Sequence, residues 1–331
     1  MNKMGSMLSM LLLAGGLSAG AADELRGGLV LQFDDGWHSW LTEVAPLVQE
    51  HGGVATGFVN NKYIDGGRIS IDELLRLQED YGWEIGSHTA NHYNAPRYVQ
   101  TKSVDDWLAN ELDPSLKVLR DGGLEVNAMV FPFNALTPEV AEAAMTRVGS
   151  YRRIDSLALA KGVRPDGSLP GTSIDTTQYA PMKLIKKWID MAHKRDLNLF
   201  LYGHRILPDS AFTEGTVLAV SSNTVTLDQP VRLDAAEDNV LIPNMAKRQN
   251  MQNTFSVSSA EGNRITVSGL LPGAVEVGAS ALVGPSYGTR LSDFNEMLAY
   301  AAERLHFYTV NDIQTLRHKE DVALEISNRS E

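Results

Sequence analysis

Apolar and polar residues change period several times along this chain. Residues 29–33 (LVLQF) form an apolar run with the density of a strand buried on both faces, and Leu41, Val44, Ala45 and Val48 then recur at helical spacing. The alternation repeats. Residues 55–59 read as a strand, and Ser70 with Glu73 makes a capping box ahead of Leu74, Leu75 and Leu77. Residues 83–86 read as a short strand, Trp107, Leu108, Leu112, Leu116 and Leu119 as one side of a helix, and residues 128–131 as a strand. Thr137 then caps a helix that has Pro138 at its first position, where a missing N–H costs nothing. Residues 151–179 are loop-rich, with one or two strands expected near 156–160; a helix through Leu184, Ile185, Trp188, Ile189 and Ala192 leads into a strand at 197–202.

Strands alternating with helices predict parallel β/α units, in either a barrel or an open doubly wound sheet. In both, chemistry gathers beyond the C-terminal ends of the strands. Texture changes after Pro208. Residues 211–288 lack helical periodicity and are rich in Val, Thr, Ser and Gly with period-two alternation. Within them Leu218, Val220, Asn223, Val225 and Leu227 resemble Phe255, Val257, Asn263, Ile265 and Val267, as a duplicated hairpin in a small β-barrel or sandwich would. Helical spacing returns with Ser292 as N-cap and Phe294, Met297, Leu298, Ala301 and Leu305, followed by a strand at 307–310. The expected organisation is therefore a β/α domain over 22–210 and 289–331, interrupted by a β-rich module at 211–288.

Composition narrows the setting. Lys3 precedes an apolar stretch at 7–20 that is too short for a stable membrane anchor, and Ala19-Gly20-Ala21 offers small residues for cleavage. This pattern predicts a signal peptide over 1–21 and an exported protein, periplasmic or secreted. There is no Cys, so no disulfide contributes to the fold. The net charge of −12 and the lack of a basic run argue against nucleic acid as a partner and, more weakly, against a strongly anionic polymer, since a local basic groove can sit inside an acidic total.

Several polar residues fall just past the expected strands: Asp34 and Asp35 after 29–33, His88 and His92 after 83–86, Phe133 after 128–131, and His204 after 197–202. Adjacent carboxylates raise each other's cost of ionisation, so Asp34-Asp35 calls for a nearby cation. His88 and His92 share a face if their segment turns helically, and with one carboxylate they would hold a catalytic divalent metal with open positions. Taken alone, they could equally be two solvated helix histidines. Trp37 and Trp40 fit either a sugar-stacking wall or core packing, while Asn91, Tyr93 and His38 are candidates for the site's margin. His51, His193, His306 and His318 read as surface or packing residues.

In this order the motifs Phe33-Asp34-Asp35-Gly36, His88-Thr89-Ala90-Asn91-His92, Phe131-Pro132-Phe133 and Leu199 to His204 resemble the polysaccharide deacetylases of the NodB-homology type, carbohydrate esterase family four. The resemblance covers residues 28–207 and 289–316. It implies a distorted (β/α) barrel that removes acetyl groups from the amino sugars of poly- or oligosaccharides. Carried over, Asp35, His88 and His92 would hold the metal, usually Zn2+; Asp34 would be the base, the Phe133 backbone N–H would meet the oxyanion, and His204 would be the acid. Two features depart from the family pattern. Val130 stands where an Arg normally begins the third motif, and no Asp-x-x-Asp-Trp fourth motif is present; Arg152, Arg153 or Asp155 could substitute. An O-acetyl esterase or small-amide deacylase would need only a different cleft, and an inactive carbohydrate-binding protein would need neither base nor acid.

Overall fold

The computed structural model describes residues 26–155, 158–233, 237–245, 254–270 and 273–316. The predicted signal segment, 1–21, and His318 lie outside the described residues. Seven parallel strands form the first unit: β1 (Gly28–Asp34), β2 (Thr56–Val59), β3 (Glu84–Ser87), β4 (Ala128–Val130), β5 (Ser150–Ile154), β6 (Ser168–Ser173) and β7 (Asn198–Gly203). They pair in chain order, and β7 closes on β1 from Gly28↔Asn198 to Phe33↔Gly203. β1 is buried along its whole length, which accounts for its unbroken apolar run. Leu31, Phe33, Trp40, Phe58, Leu74, Ile85, Trp107 and Phe200 belong to one continuous core.

Strand registers show where the barrel departs from ideal closure. β2 pairs β1 only over Gln32–Asp34, and the short strand His306–Phe307 pairs the other end of β1 at Gly28 and Leu29. Likewise β6 meets β7 only at Leu201 and Tyr202, and Leu159–Ala160 lies antiparallel on Asn198 and Leu199. The barrel is therefore splayed at its N-terminal end at two seams and tighter at the C-terminal end, where the polar residues collect.

The second unit is a closed six-stranded antiparallel barrel: β8 (Thr213–Ser221), β9 (Thr224–Leu227), β10 (Asn239–Ile242), β11 (Phe255–Glu261), β12 (Arg264–Val267) and β13 (Ser280–Pro285). The repeated sequences form its two hairpins, β8–β9 and β11–β12. Each has a register shift at the equivalent place, Val217/Ala219 and Val257/Ser259, and Val225 pairs directly with its counterpart Ile265. Val217, Val225, Leu227, Ile265 and Val267 fill the interior. The fold is thus a distorted parallel (β/α) barrel with an inserted all-β module.

The capping box at Ser70 and the Thr137 cap form as expected. Four local expectations are corrected. The region 151–179 is not mainly loop: it holds β5 and β6, the latter disguised by Pro170 and Gly171. The strand expected at 156–160 reduces to Leu159–Ala160, with Ser156 and Leu157 outside the described residues. The helix Leu291–Ala302 starts one residue before Ser292, whose backbone N–H donates at 3.0 Å to Asp209 Oδ1, so the cap comes from another segment. The last strand is His306–Phe307, and the chain turns helical at 310 because the Asp312 carboxylate accepts the N–H and hydroxyl of Thr309.

Candidate active site

The residues predicted past four strand ends meet in one cleft of about 660 Å3 at the C-terminal face of the parallel barrel. Asp34 ends β1, and Asp35 follows in the left-handed region (φ 83), as does Gly36 (φ 74). Only glycine suits the second of these turns, since a Cβ on Gly36 would sit 2.5 Å from Val59 Cγ2. The two carboxylates are thereby separated in role. Asp34 stays buried against Arg152, while Asp35 approaches the histidines.

His88 and His92 do come together, but not on a helix. Residues 88–92 form a loop with Thr89 at φ 66 and His92 at φ 61. The loop is pinned from both sides. Thr89 O and Ala90 O accept from Asn61 and Lys62 N–H, and Glu111 holds the other flank through its backbone O (from Ala90 N, 2.9 Å) and its carboxylate (from Asn91 Nδ2, 2.7 Å). Asn91 therefore shapes the loop instead of lining the cleft, and Tyr93 stacks outside on Tyr98.

His92 Nε2 lies 3.2 Å from His88 Nε2, and Asp35 Oδ1 lies 3.6 and 3.5 Å from the two. All three ligand atoms fall within 4.8 Å of one another. His88 Nδ1 is 3.0 Å from Val130 O, which leaves Nε2 as the ligating nitrogen. Burial, then the neighbouring His88, pushes His92 down to about 4, so its imidazole is neutral at pH 7 as metal ligation requires. Asp35 Oδ1 is buried with no hydrogen-bond partner among the described residues. The Nε2 atoms of His88 and His92 and an unpaired carboxylate oxygen facing one point are the donor set of a divalent cation, and these residues fit it.

Arg152, from β5, donates from Nη1 to Asp34 Oδ1 at 2.9 Å and from Nη2 to Asp34 Oδ2, with Asn134 Oδ1 also accepting at 3.2 Å. Both partners are almost fully buried. Burial alone would raise the Asp34 pKa; the Arg152 charge and hydrogen bonds, with smaller help from His88 and His204, bring it below the usual carboxylate range. Of the three substitutes suggested for the missing Arg, only Arg152 reaches Asp34. Arg153 is exposed beside Asp166, and Asp155 pairs with Arg164.

His204 lies across the cleft. Its Nδ1 is 2.7 Å from Asp175 Oδ2, and its backbone N–H donates to Asp175 Oδ1 at 3.2 Å. Burial disfavours its charge, but Asp175 outweighs that and raises His204 to about 9. Asp175 escaped the sequence reading. It sits two residues past β6, the strand hidden by Pro170 and Gly171, and the one available signal was a carboxylate just beyond a run of small buried residues.

Phe133 borders the cleft in the left-handed region (φ 60), its exposed ring 4.8 Å from the His92 ring. The Trp pair divides. Trp40 is core, donating Nε1–H to His204 O at 3.0 Å, whereas Trp37 lines the cleft and carries the guanidiniums of Arg68 (3.9 Å to the ring centre) and Arg205 (4.5 Å) over its ring. His38 is not part of the site; it pairs with Glu73 of the capping box. His51 bonds Asn295 and His193 bonds Arg304 O, both away from the cleft, and His306 is exposed. The β module contributes to the cleft through Glu237 and Tyr287, the latter edge-on to His204 at 5.0 Å.

Residues 23–146 match the family model described as polysaccharide deacetylase, a stretch that includes β1 to β4, Asp34, Asp35, His88, His92 and Phe133. The resemblance drawn from the motifs is thus met over that part of the chain. Similar solved structures include a family 4 carbohydrate esterase from Streptomyces lividans in complex with acetate (12% identity, 55% of this chain and 80% of that one, TM-score 0.40). Others are the peptidoglycan deacetylase PdaC from Bacillus subtilis (15%, 54% and 75%, 0.36) and the BpsB deacetylase domain from Bordetella bronchiseptica (16%, 43% and 69%, 0.36). No curated protein matches the chain.

Proposed function

We propose that this chain is a polysaccharide deacetylase, a hydrolase that uses a divalent metal, zinc by the nature of its ligands, to remove N-acetyl groups from amino-sugar residues of a glycan. The observation that carries the reading is the approach of Asp35, His88 and His92 to one point, between a buried ionised Asp34 and a charged His204. The family match over 23–146 supports the same reaction class.

Asp35, His88 and His92 would hold the cation, whose positive charge would polarise the acetyl carbonyl and acidify water. The protein's groups do the rest. Asp34 is the base: Arg152 fixes both of its oxygens, and the Asp34 carboxylate takes the proton of the water that adds to the acyl carbon. The backbone N–H of Phe133 donates to the oxygen that gains charge. Breaking the C–N bond requires a proton on nitrogen, because an amine anion is a very poor leaving group. His204, held protonated at neutral pH by Asp175, gives that proton from Nε2. Acetic acid and a free amino sugar result; the acid ionises to acetate, the proton on Asp34 is lost to solvent and His204 regains one.

No helix among the described residues is long and apolar enough to cross a membrane. Action outside the cytoplasm rests on the signal-like N-terminus. Acetate release from N-acetylated and O-acetylated oligosaccharides, with and without chelator, tests the function. Chelator-sensitive release from the N-acetylated set is expected; release confined to O-acetyl esters would replace this reading with an esterase.

A further inference from the structure

Two arginines stack on the same cleft residue, Trp37, and differ in one respect. Arg205 is neutralised by Glu237 in a two-pronged pair, Nη1 to Oε1 and Nη2 to Oε2, both 2.7 Å. Arg68 has no carboxylate within ion-pair distance among the described residues, and its Nη1 is buried without a hydrogen-bond partner. Its guanidinium is nonetheless well fixed, centred 3.4 Å from the Tyr63 ring and 3.9 Å from the Trp37 ring. Tyr63, Trp37 and Arg68 all border the cleft that holds Asp35 and His92, and the Tyr63 ring is 6.3 Å from that of His92.

A flat cation held between two aromatic faces loses little further freedom when a carboxylate meets its N–H edge, so the usual entropic cost of such a pair is already met. Aromatic faces lower the cost of keeping an unpaired guanidinium there, but they cannot satisfy its in-plane donors. In a chain of net charge −12, an unneutralised Arg in the wall of the cleft is selective for anions. We infer that Arg68 is a specificity residue that binds a carboxylate on the substrate, so the preferred glycan carries an acidic sugar or acidic substituent beside the acetylated amino sugar. This rests on the proposed function for the identity of the reacting sugar, but the anion recognition itself can be measured without turnover.

The probes are a tetrasaccharide of alternating N-acetylglucosamine and glucuronate, the same tetrasaccharide with its carboxyls reduced to alcohols, and N-acetylchitotetraose. Binding to wild type and Arg68→Gln is followed by calorimetry and by Trp fluorescence. Wild type is expected to bind the acidic tetrasaccharide about tenfold or more tighter than its reduced form, as charge-assisted two-pronged pairs allow, and Arg68→Gln to abolish the difference while leaving affinity for the two neutral probes unchanged. Equal affinity of wild type for acidic and reduced forms, measurable or not, overturns the inference, as does a preference that survives Arg68→Gln. Competition by free acetate that depends on Arg68 also overturns it, by assigning the guanidinium to product. Acetate release is read in parallel. Release from chitotetraose without any acidic preference leaves the function standing and removes the inference; Arg68-dependent binding without release from any probe does the reverse.

Discussion

Replacing Asp175 by Asn isolates the group that makes His204 an acid. Asn keeps one oxygen able to accept from Nδ1–H, so the ring stays oriented and its Nε2 still faces the cleft; the negative charge is lost, together with the acceptor of the His204 backbone N–H. In the wild type burial pulls the His204 pKa down and Asp175 pushes it up to about 9. Without the charge, burial is opposed only by the weaker pull of Asp34 and Asp35, and the pKa falls towards the ordinary value near 6.5. A full return to that value corresponds to about 3 kcal/mol of selective stabilisation of the imidazolium lost. At pH 8 the wild-type ring is roughly 90% protonated and a ring returned to the ordinary value about 3%, so kcat at that pH should fall by up to about 30-fold, with a smaller loss at pH 6. The assay is acetate release over about pH 5 to 10, with the His204 ring titrated by NMR in the same buffers. The alkaline limb of kcat should move from about 9 towards 6.5. A variant whose alkaline limb stays where it was, with ring titration confirmed to have shifted, would refute His204 as the proton donor.

Further outcomes follow from other buried charges. Arg152→Met leaves Asp34 as a lone buried carboxylate, which should cost about 3 to 5 kcal/mol in urea unfolding, and should push the acid limb of kcat upward as Asp34 becomes harder to ionise; Arg153→Met should leave both measurements unchanged. Glu84, at the opposite end of the barrel, is raised to about 7, chiefly by burial and secondarily by Asp312, against hydrogen bonds from Asn311 and Thr56. A carboxyl raised in the folded state holds its proton more tightly than the unfolded chain does, so stability is lost as pH climbs from about 4.5 to 7. The loss should approach about 3 kcal/mol by pH 8. Glu84→Gln should flatten that dependence, and an unchanged slope would exclude Glu84 as its source. Glu111→Gln should lower metal affinity about tenfold by loosening the loop that Asn91 anchors, read by chelator competition; unchanged affinity would mean the loop holds without that charge.

How much of this was legible in the sequence depended on whether a residue's environment was local. β1, β4 and β7 are announced by dense apolar runs and β3 more faintly by Trp83 and Ile85, and the residues that follow them, Asp34 to His204, could be placed on one face by topology alone. The fold of 88–92 could not: His88 and His92 meet through two left-handed residues held by Glu111, and a four-residue spacing suggests a helix to any reading that cannot see that contact. β5 and β6 went unread because SYRRI and SLPGTS lack strand periodicity; their burial comes from neighbouring strands and from pairing on both sides. Arg152, beside Arg153, could therefore be offered only as one of three substitutes, and Asp175 could not be singled out at all. Each acquires its role from a partner far along the chain, Asp34 118 residues away and His204 29 residues away. The repeat at 218–227 and 255–267 was readable because equivalent positions pair with one another, as Val225 does with Ile265.

Metal content measured by mass spectrometry on purified protein, beside Asp35→Asn and His92→Ala, bears most directly on the shared ligand set. Both variants should fold, since Asp35 and His92 sit at the cleft surface and not in the core, and both should lose the tightly held divalent ion that the wild type retains through dialysis. Equal occupancy in all three proteins would mean that Asp35 and His92 do not grip one ion, and the proposed chemistry would have no centre.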